Sequence, residues 1–155
     1  MQMQLYLKMC NTFRKSERLN SNKIIEKLFA GGNMSMTVFP LRAVYMIEKL
    51  DKDASENEEG EKEKGKCAEN NGEQPVQVLI SVPKRNHKLA ISRNRVKRQI
   101  REAYRTAKHD LYVKAAQKRI KVLIAFVCIS DVLTTTQRVK TSVERLLDRI
   151  SDNIR

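Results

Sequence analysis

Residues 51–73 hold nine acidic side chains, four lysines and almost nothing able to enter a core. Whatever this chain folds into must therefore be assembled from the two flanks. A segment so charged and so poor in apolar groups cannot bury enough surface to offset its chain entropy, and we expect 51–74 to be a disordered acidic insertion. It carries a net charge of −5, which leaves 27 basic and 9 acidic residues elsewhere, a net of +18 where the whole 155-residue chain has +13. With 41% hydrophobic residues the flanks suffice for one modest core. The expectation is a single domain over 1–155 with residues 1–10 mobile.

Periodicity orders the flanks. Asn20 or Ser21 can cap a helix in which Ile24, Ile25, Leu28 and Phe29 share a face, ended by Gly31-Gly32. The stretches 38–47 and 76–82 are rich in β-branched residues and sit on either side of the insertion as two neighbouring strands would, making it an overgrown hairpin loop. Val96, Ile100, Ala103, Tyr104 and Ala107 recur at helical spacing in 92–107, 122–129 reads as a buried strand, and Val139, Val143, Leu146, Leu147 and Ile150 stripe a helix over 134–150. The predicted order is helix, strand, strand, helix, strand, helix, an α+β fold around one sheet.

So large a positive excess repels itself unless a polyanion or acidic membrane accepts it. The longest apolar stretch, 122–129, is far short of the roughly 20 residues that span a bilayer, and the start of the chain has no apolar run with a cleavage site. A cytoplasmic protein with no membrane partner and no obligate protein partner is expected. Cys10, Cys67 and Cys128 lie far apart and the histidines are His87 and His109, so no pair has zinc-site spacing; Cys128 reads as a small hydrophobe. The flanks group no carboxylates for two metal ions and no paired histidines for acid–base work, which argues against a self-sufficient nuclease.

The densest basic run is 84–105, nine Lys or Arg against one Glu. At about 100° per residue, with Val96 facing the core, Arg93 falls near 60°, Lys97 near 100°, Arg101 near 140° and Arg98 near 200°, so most of the remaining circumference is cationic. Arg93, Arg95 and Lys97 stand in the opening turns, where unsatisfied amides and the helix dipole already present positive charge and stability alone would favour Asp or Glu. Bound phosphate would resolve that conflict, through helix amides and guanidinium forks together. The reading is a nucleic-acid-binding surface built on Arg93, Asn94, Arg95, Lys97, Arg98 and Arg101, with RNA phosphate as the fitting ligand; the alternative is surface charge kept for solubility.

The same run resembles the signature of the bacterial ribonuclease P protein component: a strand ending in Val82-x-Lys84-Arg85, a short loop, then Ala90, Arg93-Asn94-Arg95-Val96-Lys97-Arg98 and Arg101-Glu102. Phe13, Lys15 and Arg18-Leu19 resemble the family's N-terminal element. The resemblance implies an α/β sandwich with a left-handed crossover between parallel strands, against the usual hand. It further implies the protein subunit of a ribonucleoprotein that removes the 5′ leader from precursor tRNA, with the RNA subunit and its Mg²⁺ performing the hydrolysis and no metal held by the protein alone.

In that arrangement the arginine-rich helix contacts the catalytic RNA, and a groove between the first helix and the sheet holds the single-stranded leader. Apolar or aromatic walls with cationic edges suit such a strand. The groove residues expected here are Ile25 and Phe29 on the helix, Tyr45 on the sheet, and Lys84 and Arg85 after the second strand. Ile25 stands where the family often has an aromatic residue. Ile25 and Phe29 at i and i+4 are also ordinary core spacing. The loop before the signature helix is one residue longer than usual, with His87 and Lys88 where many members have Gly, and His87 reads as a solvated histidine. The competing function is a ribosomal or chaperone-type RNA binder without a processing role.

Overall fold

The structure is a computed structural model and describes residues 12–49 and 74–154. The expected insertion, Gln74 apart, and the expected mobile end lie outside the described residues. A 3₁₀ turn at Lys15–Glu17 precedes α1 (Asn22–Phe29). Then come β1 (Met34–Val38), β2 (Leu41–Lys49), β3 (Val76–Ser81), α2 (Ala90–Ala107), α3 (His109–Gln117), β4 (Ile120–Cys128) and α4 (Thr136–Asn153).

The four strands form one mixed sheet in the order β1-β2-β4-β3. β4 is antiparallel to β2 and parallel to β3, so α2 and α3 together make the crossover from β3 to β4. As one of the two inner strands, β4 is apolar almost throughout and largely buried on both faces. The free edge of β3 is met by the N-terminal segment: the Leu19 amide donates to the Val78 carbonyl at 3.1 Å, which limits the edge available to another chain.

Alternation along the strands sends their residues into two cores. On one face Leu41, Ala43, Tyr45, Val76, Val78, Val122, Ile124 and Phe126 pack under α2, α3 and α4. On the other, Val44, Leu123 and Ala125 pack with Leu19 and Leu28 under α1, flanked by Ile24, Ile25, Met46 and Leu79. α1 closes with Gly31 and Gly32 at φ 95° and 82°, a conformation that glycine adopts without strain, while Asn33 Nδ2 donates to the carbonyls of Lys27 and Leu28, both at 2.8 Å.

Three expectations need correcting. The predicted strand 38–47 is two strands, because Pro40 has no amide for a ladder; the cis Phe39–Pro40 bond lies in the turn between β1 and β2. The strands flanking the insertion do not form a hairpin, since β4 lies between β2 and β3. And α3, unforeseen, buries Leu111, Tyr112 and Ala115, too few apolar positions to announce a helix by period alone.

Candidate nucleic-acid interface

α2 begins without help from its own sequence. The residue before it, Leu89, supplies no side-chain cap, and the first turn holds no acid, so its opening amides stay available. Its one acid, Glu102, lies further along and is held by Arg105, whose Nε approaches to 2.9 Å. That hydrogen bond keeps the Glu102 carboxyl below the usual carboxylate range. The cations nearer the helix start are thus left without an acidic partner on their own helix.

The loop feeding α2 is pinned to the end of β4. The amides of Asn86 and His87 both turn back to the Pro83 carbonyl, and Asn86 Nδ2 donates to the Cys128 carbonyl at 3.0 Å. His87 is 4% exposed, its Nε2 3.8 Å from Cys128 Sγ, so the expectation of a solvated histidine is corrected: the loop folds its imidazole inward against β4. Cys128 is buried in its strand as expected, and burial pushes its thiol pKa up.

The six cations and amides anticipated on α2 separate into two kinds. Arg93 is half-buried and turns back onto the loop, where Nη1 donates to the carbonyls of His87 at 2.9 Å and Lys88 at 2.7 Å. It positions the helix start, a role its charge alone did not reveal. Asn94, Arg95, Arg98 and Arg101 are exposed and Lys97 is half-buried, and none of the four cations has an ion-pair partner among the described residues. Ile91 beside them is 82% exposed and Leu89, just before the helix, 68%, so bare apolar surface adjoins the cations.

On the opposite face of the sheet, a cleft of about 240 Å³ opens between the end of α1 and strands β1, β2 and β4. Its lining includes Phe29, Asn33, Ser35, Arg42, Val44 and Val127. Phe29 is half-exposed, so its ring forms wall rather than core. Arg42 reaches across to Ser35, Nη2 to Oγ at 3.3 Å, which places a cation at the cleft that periodicity did not single out. Ile25, one turn earlier, lies partly buried in the small core under α1. Lys84 and Arg85 stand on the exposed turn after β3, whose last residue, Ser81, is paired with Val127 of the cleft. They therefore lie at the cleft's end of the sheet.

Tyr45 does not belong to this groove. It alternates onto the other face, 1% exposed beneath α4, and its hydroxyl accepts from Asn153 Nδ2 at 2.7 Å. The face-sharing set Leu41, Ala43, Tyr45 and Ile47 is uniformly apolar, whereas Arg42, Val44, Met46 and Glu48 are mixed. That contrast is the sequence signal that could have put Tyr45 in the main core.

Among the described residues no group of His, Cys, Asp and Glu is placed to hold a metal ion, and no helix is long and apolar enough to cross a membrane. Comparison with known proteins matches residues 13–151 to the family model described as Ribonuclease P. The chain is 33% identical over 140 residues to proteins named ribonuclease P protein component from Porphyromonas gingivalis strains ATCC 33277 and W83, covering 90% of this chain and 87% of each relative. It is 32% identical over 109 residues to the protein of that name from Chlorobium phaeobacteroides, covering 70% of this chain and 62% of the relative.

Proposed function

The chain belongs to the ribonuclease P protein family, and we propose that it acts as the protein subunit of that ribonucleoprotein in 5′ maturation of tRNA. In this reading the cations of α2, exposed Arg95, Arg98 and Arg101 and half-buried Lys97, seat the catalytic RNA together with Asn94. Arg93 holds the helix start in place. The cleft of Phe29, Val44, Val127 and Arg42 holds the single-stranded leader of precursor tRNA, with Lys84 and Arg85 following its phosphates at the same end of the sheet and Ile25 supporting Phe29 from below. The protein positions; Mg²⁺ held mainly by the RNA supplies the hydrolytic chemistry. The compartment is the cytoplasm, where tRNA precursors are made.

The observation that carries the reading is the pairing of two unlike surfaces on opposite sides of one thin sheet. One is a helix start with unpartnered cations, suited to the fixed phosphates of a folded RNA. The other is an apolar cleft with a cationic edge, suited to a flexible strand whose bases stack on its walls. A general RNA binder has use for the first and none for the second. Reconstitution with the cognate RNA subunit and precursor tRNA at low Mg²⁺ tests the proposal: the protein is expected to raise 5′ cleavage at least tenfold. Binding without any stimulation would overturn it in favour of the ribosomal or chaperone-type reading.

A further inference from the structure

Beside the exposed cations, between the first half of α2 and the start of α4, lies a pocket of about 480 Å³ lined by Ile91, Asn94, Arg95, Arg98, Gln99 and Thr136. Its volume falls within the roughly 300–1,000 Å³ usual for small-molecule sites. Gln99 is the anomaly in its wall. It sits on the buried side of α2 among Val96, Ile100 and Ala103 and is 8% exposed. Its Nε2 donates to Thr136 Oγ1 at 3.0 Å and towards the Thr134 carbonyl at 3.4 Å. A carbonyl can only accept, so the amide cannot be turned round: the nitrogen must face Thr134 and the oxygen must face away. That oxygen, Oε1, is buried with no hydrogen-bond partner among the described residues.

A leucine at 99 would fill similar space with no acceptor left unmade, and native proteins seldom leave one. The rest of the pocket indicates what would complete it. Arg95 and Arg98 are exposed and lack an acidic partner among the described residues, and Ile91 offers a bare apolar surface beside them. The missing ligand needs an anion, a flat apolar face and one hydrogen-bond donor. Free phosphate has no apolar face. An acidic peptide brings the charge without a reason for the exposed Ile91.

We propose that this pocket takes one unstacked nucleotide of a bound RNA, its base against Ile91, its phosphate at Arg95 and Arg98, and a donor group of the same nucleotide on Gln99 Oε1. The inference rests on the RNA-binding reading above and adds to it a point of discrimination, since a buried acceptor rejects a nucleotide that brings no donor. In an adenylate two groups can serve, the exocyclic amine of the base and the ribose 2′-hydroxyl, and substituted RNA separates them. Reaching Oε1 requires the pocket wall to give slightly, a local adjustment of the kind RNA binding commonly entails.

The experiment measures binding of the full chain to three labelled single-stranded octamers at one salt concentration: oligoadenylate, the same oligomer with purine riboside in place of adenosine, and its 2′-deoxy counterpart. For the wild-type protein one of the two deletions is expected to weaken binding about 3- to 10-fold, the worth of one hydrogen bond. In Gln99→Leu, checked for an unchanged fold by circular dichroism, that same deletion is expected to cost nothing, closing a double-mutant cycle. Tight binding by the wild-type chain that ignores both deletions overturns the pocket and leaves the proposed function standing, as does an equal loss in both proteins. Failure of the wild-type chain to bind any of the three octamers overturns the pocket, while the proposed function stands or falls separately by the reconstitution with the cognate RNA subunit.

Discussion

Lys108 Nζ lies 2.8 and 2.9 Å from the two carboxylate oxygens of Glu17, with both side chains almost wholly buried. The ammonium also donates to the Thr12 carbonyl at 2.6 Å and stands 5.2 Å from the centre of the Tyr112 ring. The pair joins the N-terminal segment to the junction of α2 and α3, ninety-one positions along the chain. Lys108→Met should cost about 3–5 kcal/mol in urea unfolding, since it strands a buried carboxylate. Replacing both residues with apolar ones of similar size should cost less than the single change. A loss below about 1 kcal/mol for Lys108→Met would show the pair to be solvated.

Arg95→Ala and Arg93→Ala should fail differently. Removing Arg95 should weaken binding to the catalytic RNA and lower the log–log salt slope by about 0.7–0.9, one phosphate's worth. Removing Arg93 should also loosen the loop at His87 and Lys88, seen as faster amide hydrogen exchange in 83–92 of the free protein. Arg93→Lys should not restore it, because a single ammonium makes a poorer bridge than the guanidinium fork. Identical salt slopes for Arg95→Ala and the wild type would remove Arg95 from the interface.

Phe29→Ala should reduce affinity for leader-bearing precursor more than for mature tRNA, by about 5- to 100-fold if one base stacks on the ring. Tyr45→Phe is the control. It loses the hydrogen bond from Asn153, about 1 kcal/mol of stability, and should leave the ratio of precursor to mature affinity unchanged. Equal losses for both tRNAs in Phe29→Ala would return Phe29 to a purely structural role.

Cys128 should be slow to alkylate. Burial raises its thiol pKa, so less thiolate is present near pH 8 and access is blocked as well. In a Cys10→Ser/Cys67→Ser background, iodoacetamide should label the native protein at least ~100-fold more slowly than the urea-unfolded chain, two orders of magnitude being typical of a thiol that reacts only through rare opening. Fast labelling of the native protein would mean that the contact with His87 opens readily.

The residues that could be read in advance were those whose burial follows from period. Val96, Ile100 and Tyr104 announced α2, Val143, Leu146 and Ile150 announced α4, and the apolar run at 122–129 announced β4; all are buried except Val127, which lines the cleft, and Ile129, which lies exposed just past the strand. Period along β2 set the all-apolar face of Leu41, Ala43, Tyr45 and Ile47 apart from its mixed neighbour, but it does not say which face lines a groove, and Tyr45 was placed there on resemblance alone. Nor does it reveal polar groups whose partners are distant in sequence. Glu17 and Lys108 are ordinary surface residue types, and Gln99 reads as one more polar residue in a basic helix until Thr134 and Thr136 are brought against it by α4. Arg93 was chosen for its charge, and its hydrogen bonds to a preceding loop are a matter of geometry that charge cannot supply.

The place of β4 sets the timetable of folding. It is the neighbour of both β2 and β3, yet it follows them and all of α2 in the chain. During synthesis β2 and β3 wait with one ladder unmade until Ile120–Cys128 has emerged, and every sheet contact that finally joins the two flanks is long-range, the kind that slows folding. A nascent chain stopped before Ile120 would present the cations of α2 with β3 still unjoined to β2 and with α4, the helix packed along α2, not yet made. Under the proposed function, specific seating on RNA would thereby wait until nearly the whole chain has left the ribosome, itself a large and competing RNA surface.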